Sequence, residues 1–303
     1  MEEYGNKISP AGLSVLDQSR FAVSPDAENE DGILVRSADM HEYVFPENLR
    51  AIARAGAGTN NIPIDRCSEA GIAVFNTPGA NANAVKELVI CAMLLASRNV
   101  VGGAAWVREQ AAAGADIEKA VEKGKSQFVG PEIQGKALGV VGLGAIGVQV
   151  ANIATKLGMT VWGYDPFLSV DAALSLSRMV QRANDLETIY KNCDYITLHL
   201  PLNGDTRGMI DAGALQMMKS GVRLINLARG GLVNDEDLLQ ALESGRVACY
   251  VTDFPNNRIL QGRNVVAIPH LVSRPSSPPR AKASAMRPCL LSFKLTAPKT
   301  IHY

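Results

Sequence analysis

The stretch Leu138-Gly139-Val140-Val141-Gly142-Leu143-Gly144-Ala145-Ile146-Gly147 decides the fold. An apolar strand run ends in three glycines spaced GxGxxG, and a helical pattern over 145–157 follows directly. In that setting the first glycine permits a tight turn. The second lets a pyrophosphate approach the backbone, and the third lets the helix pack close to the sheet. The start of the helix offers free N–H groups and a positive dipole end to phosphates, with Ala145 and Ile146 in the turn itself. The next strand run ends in Tyr164-Asp165, 18 residues past Gly147. A carboxylate there accepts both ribose hydroxyls of an adenosine and repels a 2′-phosphate, which favours NAD over NADP.

Working outward, short apolar or β-branched runs recur at 137–141, 160–164, 195–200, 222–227, 248–252 and 264–268. Helix-like segments at 145–157, 183–191, 212–219 and 234–244 separate most of them, the alternation of a parallel, doubly wound sheet. Upstream, 33–35 and 72–75 read as strands, with a short helix between Pro63 and Gly71. Val85, Leu88, Val89, Ala92, Met93, Leu95 and Ala96 recur at helical spacing over 84–98. The prediction is an α/β chain of two doubly wound parallel-sheet domains, 1–97 and 98–271, with an Ala-, Glu- and Lys-rich arm over 102–130. Residues 273–303 hold five prolines and five serines without a helix or strand period, so 272–303 is expected to be a disordered tail.

At 303 residues, 47% hydrophobic and 20% charged, the chain is neither a single small module nor disordered by composition. Its 30 basic and 30 acidic side chains cancel, so no global field favours nucleic acid or a membrane. The balance is uneven along the chain. Six of the basic residues lie in 271–303, and no acid follows Asp253. Five cysteines without a CxxC pair read as reduced thiols of a cytoplasmic protein, with neither a disulfide frame nor a metal site. No secretory signal is evident at the start, and no run of about 18 apolar residues offers a membrane span.

Ligands of a doubly wound sheet bind beyond the carboxyl ends of its strands. Those ends carry Asp165, His199, Pro201, Arg229, Asp253 and His270. Arg229, followed by Gly230-Gly231, suits a fork that grips a substrate carboxylate. His270 suits an acid/base that takes the proton of a hydroxyl while hydride leaves its carbon. His199 reads as structural or cofactor-flanking. In the first domain, Arg54 beside Gly56 and Gly58 suits an anion site that Arg36 can join.

These residues resemble the D-isomer-specific 2-hydroxyacid dehydrogenase family, and within it the 3-phosphoglycerate dehydrogenases. The similarity covers Leu34–Ser37, Arg54–Gly58, Phe75–Gly79, Gly142–Gly147 with Asp165, His199–Leu202, Asn226–Gly231 and Ile268–His270. It implies a flavodoxin-like substrate domain and a Rossmann NAD-binding domain. It also implies a homodimer packed through the arm after Arg98, and hydride transfer between NAD and the 2-hydroxy carbon of 3-phosphoglycerate. By the same resemblance Arg229 orients the substrate, His270 is the acid/base, and Arg54 with Gly56 and Arg36 binds the substrate's phosphate side. Asp253 would bind the carboxamide, and Thr77, Leu200, Pro201, Leu227 and Ala228 would flank the cofactor. Two departures matter. The family keeps a Glu for its histidine five residues after the position of Asp253, where this chain has Arg258. After Leu271 this chain leaves the family's pattern, which continues with a long helix returning to the first domain and a final strand, and out-of-phase codons for 272–278 can spell that continuation, as a shifted reading frame would. The alternatives are an NAD(H)-binding protein with little or no turnover, or a dehydrogenase of glycerate or lactate.

Overall fold

The computed structural model describes Ile8, Leu13, Ser14, Leu16, Asp17, residues 19–56, 58–77 and 79–270, and the backbone of 299–302. In chain order the elements are β1 (Phe21–Ser24), β2 (Gly32–Val35), β3 (Ala51–Arg54), α1 (Ile64–Glu69), β4 (Ala73–Phe75), α2 (Ala82–Ser97), α3 (Val100–Ala112) and α4 (Ile117–Gly124). Then follow β5 (Ala137–Val141), α5 (Gly147–Lys156), β6 (Thr160–Tyr164), α6 (Val170–Ser175), β7 (Val180–Arg182), α7 (Leu186–Asn192) and β8 (Tyr195–Leu198). The series closes with α8 (Ala212–Met217), β9 (Val222–Asn226), α9 (Asp235–Glu243), β10 (Val247–Thr252), β11 (Val265–Ala267) and β12 (Lys299–His302). Contacts divide the chain into two units, 1–81 with 273–303, and 82–272.

The first unit holds a parallel sheet in the order β1-β12-β2-β3-β4. Strand β2 is buried on both faces. Ile33 and Val35 join Leu49, Ile52, Ile62 and Cys67 on one side, while Leu34 joins Ile8, Leu16, Phe21 and Ala53 on the other. In the flavodoxin-like order, 2-1-3-4-5, the place second from the edge belongs to the first strand of the chain. Here β12 fills it, so the tail is not wholly without regular structure as the sequence predicts. Four residues with β-branched Thr300 and Ile301 are too few to show a period, and the rest of the predicted tail and frame shift lies outside the described residues.

The second unit holds a parallel sheet in the order β11-β10-β9-β8-β5-β6-β7. This is the 3-2-1-4-5-6 order of dinucleotide-binding folds with one more strand at the edge. Leu138 and Val140 of β5 face one core layer and Val141 the other. Helix α2 belongs to this unit, so the boundary falls at 81/82 and not at the predicted 97/98. Its Val89, Ala92 and Met93 share a buried cluster with Leu138, Val140 and Ile225. Its end is tied to the sheet by Ser97 Oγ to Tyr195 Oη at 2.7 Å and by Arg223 Nε donating to the Ala96 carbonyl at 2.9 Å. Burial of Val89 and Met93 alone contributes about 1.5–3 kcal/mol each. Sequence periodicity finds the helix but cannot say which sheet it covers.

The predicted arm is helical. Asn99 caps α3 by accepting from Gly102 N at 3.0 Å, and Trp106 packs on Phe128 with ring centroids 5.4 Å apart. No residue of α3 is buried. Among the described residues no single helix is long and apolar enough to cross a membrane. Cys67, Cys91, Cys193 and Cys249 are free thiols.

Candidate functional site

The carboxyl ends of β5 and β8 flank the point where strand order reverses, and the glycine turn lies there. Gly142 has a φ of +94°. A side chain on it would also run into the His199 carbonyl oxygen at 2.6 Å. A Cβ on Gly147 would stand 1.9 Å from the Gly142 carbonyl oxygen, so only glycine lets α5 start this close to the turn. Gly144 differs, because a Cβ there would meet nothing within 4 Å. Its backbone therefore borders open space, as a turn that admits a pyrophosphate requires. Ala145 and Ile146 complete the turn, and Ile146 packs on the buried cluster under α5.

Asp165 follows β6 as predicted, and its carboxylate also holds the turn. Oδ2 accepts from Leu143 N and Oδ1 from Phe167 N, both at 2.8 Å. Each oxygen keeps acceptor capacity for a ribose hydroxyl. The loop after β8 contains His199, Leu200 and Pro201. His199 N donates to Val141 O at 2.8 Å, and Thr206 Oγ1 donates to Pro201 O at 2.6 Å. The His199 ring lies with Nε2 3.1 Å from Thr197 Oγ1, and its Nδ1 is buried without a partner. Burial pushes its pKa down to about 4, which keeps the ring neutral.

After β9, Leu227 is buried and Ala228 half-buried. Asn226, part of the Asn226–Gly231 motif but given no role from the sequence, is the organiser of this loop. It is buried, its Oδ1 accepts from Ala228 N at 3.2 Å, and its Nδ2 donates to Arg229 O at 2.8 Å. A lone amide inside an apolar strand run is a detectable signal, because burying it requires partners. The Arg229 guanidinium donates through Nη1 to Ala228 O at 2.6 Å, and the fork carries further donors for an anion.

Asp253 directly follows β10 and is buried. His270, past β11, is mostly exposed, and its Nδ1 lies 2.7 Å from Asp253 Oδ2. The other carboxylate oxygen, Oδ1, is buried and unpartnered. Burial raises the Asp253 pKa above the usual carboxylate range, while His270 and Arg229 pull it back down. Arg258, at the position of the family's Glu, is turned to Glu236 on α9 and pairs with it.

In the first unit Arg54 ends β3 and Arg36 follows β2. Arg54 Nε donates to Asn61 Oδ1 at 2.8 Å, and Asn61 Nδ2 donates to Ala38 O at 2.7 Å. A Cβ on Gly56 would stand 2.6 Å from Arg54 Nη1, so the glycine makes room for the guanidinium. Thr77 is buried, with Oγ1 3.4 Å from Arg54 O. Arg54, Gly56 and Thr77 thus lie together in this unit, while Arg229, Asp253 and His270 form their own group in the other.

Residues 90–275 match the family described as D-isomer specific 2-hydroxyacid dehydrogenase, NAD binding domain. The D-3-phosphoglycerate dehydrogenase of Archaeoglobus fulgidus is 34% identical over 268 residues, 84% of this chain and 48% of that protein. The hydroxypyruvate reductase of Thermotoga maritima is 37% identical over 253 residues, 80% of this chain and 77% of that protein. Among solved structures, the NAD+-bound 3-phosphoglycerate dehydrogenase of Entamoeba histolytica superposes with a TM-score of 0.68 at 26% identity, over 89% of this chain and 82% of that one. The chain belongs to the D-isomer-specific 2-hydroxyacid dehydrogenase family, and its second unit is the NAD-binding domain of that family. It spans about half the length of the A. fulgidus and Bacillus subtilis D-3-phosphoglycerate dehydrogenases that it matches.

The residues present fit NAD. An open cradle lies at Gly144, a carboxylate with spare acceptor sites lies at Asp165, and buried polar atoms await partners at His199 Nδ1 and Asp253 Oδ1. Ala145, Ile146, Leu200, Pro201, Leu227 and Ala228 lie on the turns at the ends of β5, β8 and β9.

Proposed function

We propose that this protein is an NAD-dependent oxidoreductase of 2-hydroxy acids, acting on 3-phosphoglycerate as in the first step of serine synthesis. The observation that carries the reading is a histidine joined to a buried carboxylate, with an arginine fork on the neighbouring loop, at the carboxyl ends of an NAD-binding sheet. Bound NAD supplies the hydride acceptor. Gly142, Gly144, Gly147 and Asp165 would hold its adenosine and pyrophosphate side, and Asp253 Oδ1 can accept from its carboxamide. With Nδ1 engaged by Asp253, His270 Nε2 is the ring nitrogen left to take the substrate hydroxyl proton and return it in the reverse direction. Arg229 fixes the substrate carboxylate by charge and fork geometry.

The phosphorylated substrate is favoured by Arg54, held by Asn61 in a glycine turn with Arg36 just past the adjacent strand, and by the names of the A. fulgidus and E. histolytica relatives. Hydroxypyruvate or glycerate is the second candidate, on the T. maritima relative's name. The reading includes a cytoplasmic homodimer, with α3, which buries no residue of its own, as the face offered to a second copy. NADH absorbance at equal concentrations of 3-phosphohydroxypyruvate, hydroxypyruvate, glyoxylate and pyruvate tests it, beside a direct NADH titration. Faster turnover of the phosphorylated acid is expected. NADH binding without turnover of any of the four would overturn the enzyme reading.

A further inference from the structure

The carboxylate that the family pattern supplies to its histidine is absent at 258, and the structure does not leave His270 without one. The 256–258 loop is tied to the start of α9. Arg258 pairs with Glu236, Arg258 N donates to Asn256 Oδ1 at 3.0 Å, and Asn256 Nδ2 donates to Asp235 Oδ2 at 2.8 Å. Asp253, five residues earlier, lies 2.7 Å from the His270 ring. We propose that Asp253 is the positioning residue of His270 in this chain, fixing its tautomer and ring plane in place of the carboxylate missing at 258. The inference rests on the reading that His270 exchanges the substrate proton.

The geometry supports this in three ways. First, Asp253 is set by the end of β10 and its side chain is only 4% exposed, so its carboxylate has little freedom to turn away. Second, the next residue holds the same ring. Phe254 packs on His270 with centroids 5.1 Å apart at 50°, and Phe254 N is pinned to Thr252 Oγ1 at 3.1 Å. Consecutive residues at one strand end therefore fix the ring by a hydrogen bond and a tilted ring contact. The His270 side chain is otherwise 58% exposed, as a group that meets substrate requires. Third, the charges are consistent. Arg229 lies close enough to favour the ionised Asp253, and Arg258 is engaged by Glu236. Among the described residues no other carboxylate is hydrogen-bonded to His270. An ionised Asp253 stabilises the imidazolium that forms when the ring takes a proton, and its bond to Nδ1 leaves Nε2 as the basic atom. Its unpartnered Oδ1 stays available to a second donor, so one carboxylate can serve ring and cofactor together.

The test is imidazole NMR on the full chain, labelled at its four histidines, with His270 assigned by His270→Gln. In the parent, neutral His270 should carry its proton on Nδ1. Asp253→Asn should mix the tautomers and so move both ring-nitrogen shifts toward their average. Arg258→Ala should change neither. Circular dichroism checks that the variants fold, and the parent's own tautomer needs no variant. An Nε2–H tautomer in the parent, an unchanged tautomer ratio in Asp253→Asn, or an equal change in Arg258→Ala would overturn the proposal. Because this readout needs no turnover, a parent with the expected tautomer that oxidises no 2-hydroxy acid would sink the enzymatic reading and leave the Asp253–His270 pair standing.

Discussion

Two glycines of the same turn should fail in opposite ways when replaced by alanine. On Gly147 the added methyl would lie 1.9 Å from the Gly142 carbonyl oxygen and 3.0 Å from its carbon. Both atoms are backbone, so the start of α5 must back away from the turn. Overpacking of this kind costs about 1–3 kcal/mol, which lowers Tm by roughly 2–12 °C for a unit of this size. On Gly144 the methyl meets no protein atom within 4 Å, and the residue's φ is not in the left-handed region. Gly144→Ala should therefore fold as well as the parent, within about 0.5 kcal/mol. It should nonetheless bind NADH at least about tenfold more weakly, because the methyl enters the space where the pyrophosphate lies. Scanning calorimetry and NADH fluorescence titration on both variants make the comparison. A Gly144→Ala protein that binds NADH like its parent would refute the placement of the pyrophosphate, and a Gly147→Ala protein of parental Tm would refute the packing argument.

Other expectations follow from the same geometry. Asp165→Ala removes the partner of Leu143 N and Phe167 N as well as the ribose acceptor. It should lose about 1–3 kcal/mol of stability and narrow the preference for NADH over NADPH, read by paired titrations of the two cofactors. His199, with its folded pKa near 4, binds its proton more readily when the chain unfolds. Stability should thus fall as pH drops from about 6.5 to 4, by about 2–3 kcal/mol for this group, and His199→Asn should flatten that slope in urea unfolding. Ile301→Pro would break β12, whose Ile301 pairs with both Val23 and Gly32. Amide exchange should then rise throughout the first sheet, while NADH affinity of the second unit stays at the parent's value.

Much of the second unit was legible because its signals are local. A strand, three glycines and a helix are contiguous, and the runs at 160–164, 195–200 and 222–227 fall on β6, β8 and β9. The polar residues at their ends needed only the topological rule that strand ends face one crevice. What escaped was whatever depends on partners far along the chain. Strands β1, β3 and β7, three to four residues each, are too short to announce a period, and their pairing decides them. Helix α2 reads as a helix from its own spacing, but its allegiance to the second sheet is written in Tyr195 and Arg223, about a hundred residues away. Arg258 reads as a loss when judged by position alone. Only the structure shows Asp253, known from the sequence as a strand-end acid, bonded to the imidazole.

The place of β12 has a consequence for how the chain is made. Residues 299–302 insert between β1 and β2, whose residues 21–24 and 32–33 leave the ribosome long before them. All of 82–272 must be synthesised before that gap in the first sheet can close. Pairings so distant in sequence form slowly, because the loop between them must be ordered before they contribute. The nucleotide-binding unit can complete its own sheet from contiguous chain and wait, folded, as an insertion within a unit that is still open. During that interval the edges of β1 and β2 are unpaired, so a sheet begun before the nucleotide-binding unit is finished after it and is the more exposed of the two to mispairing with a neighbouring chain.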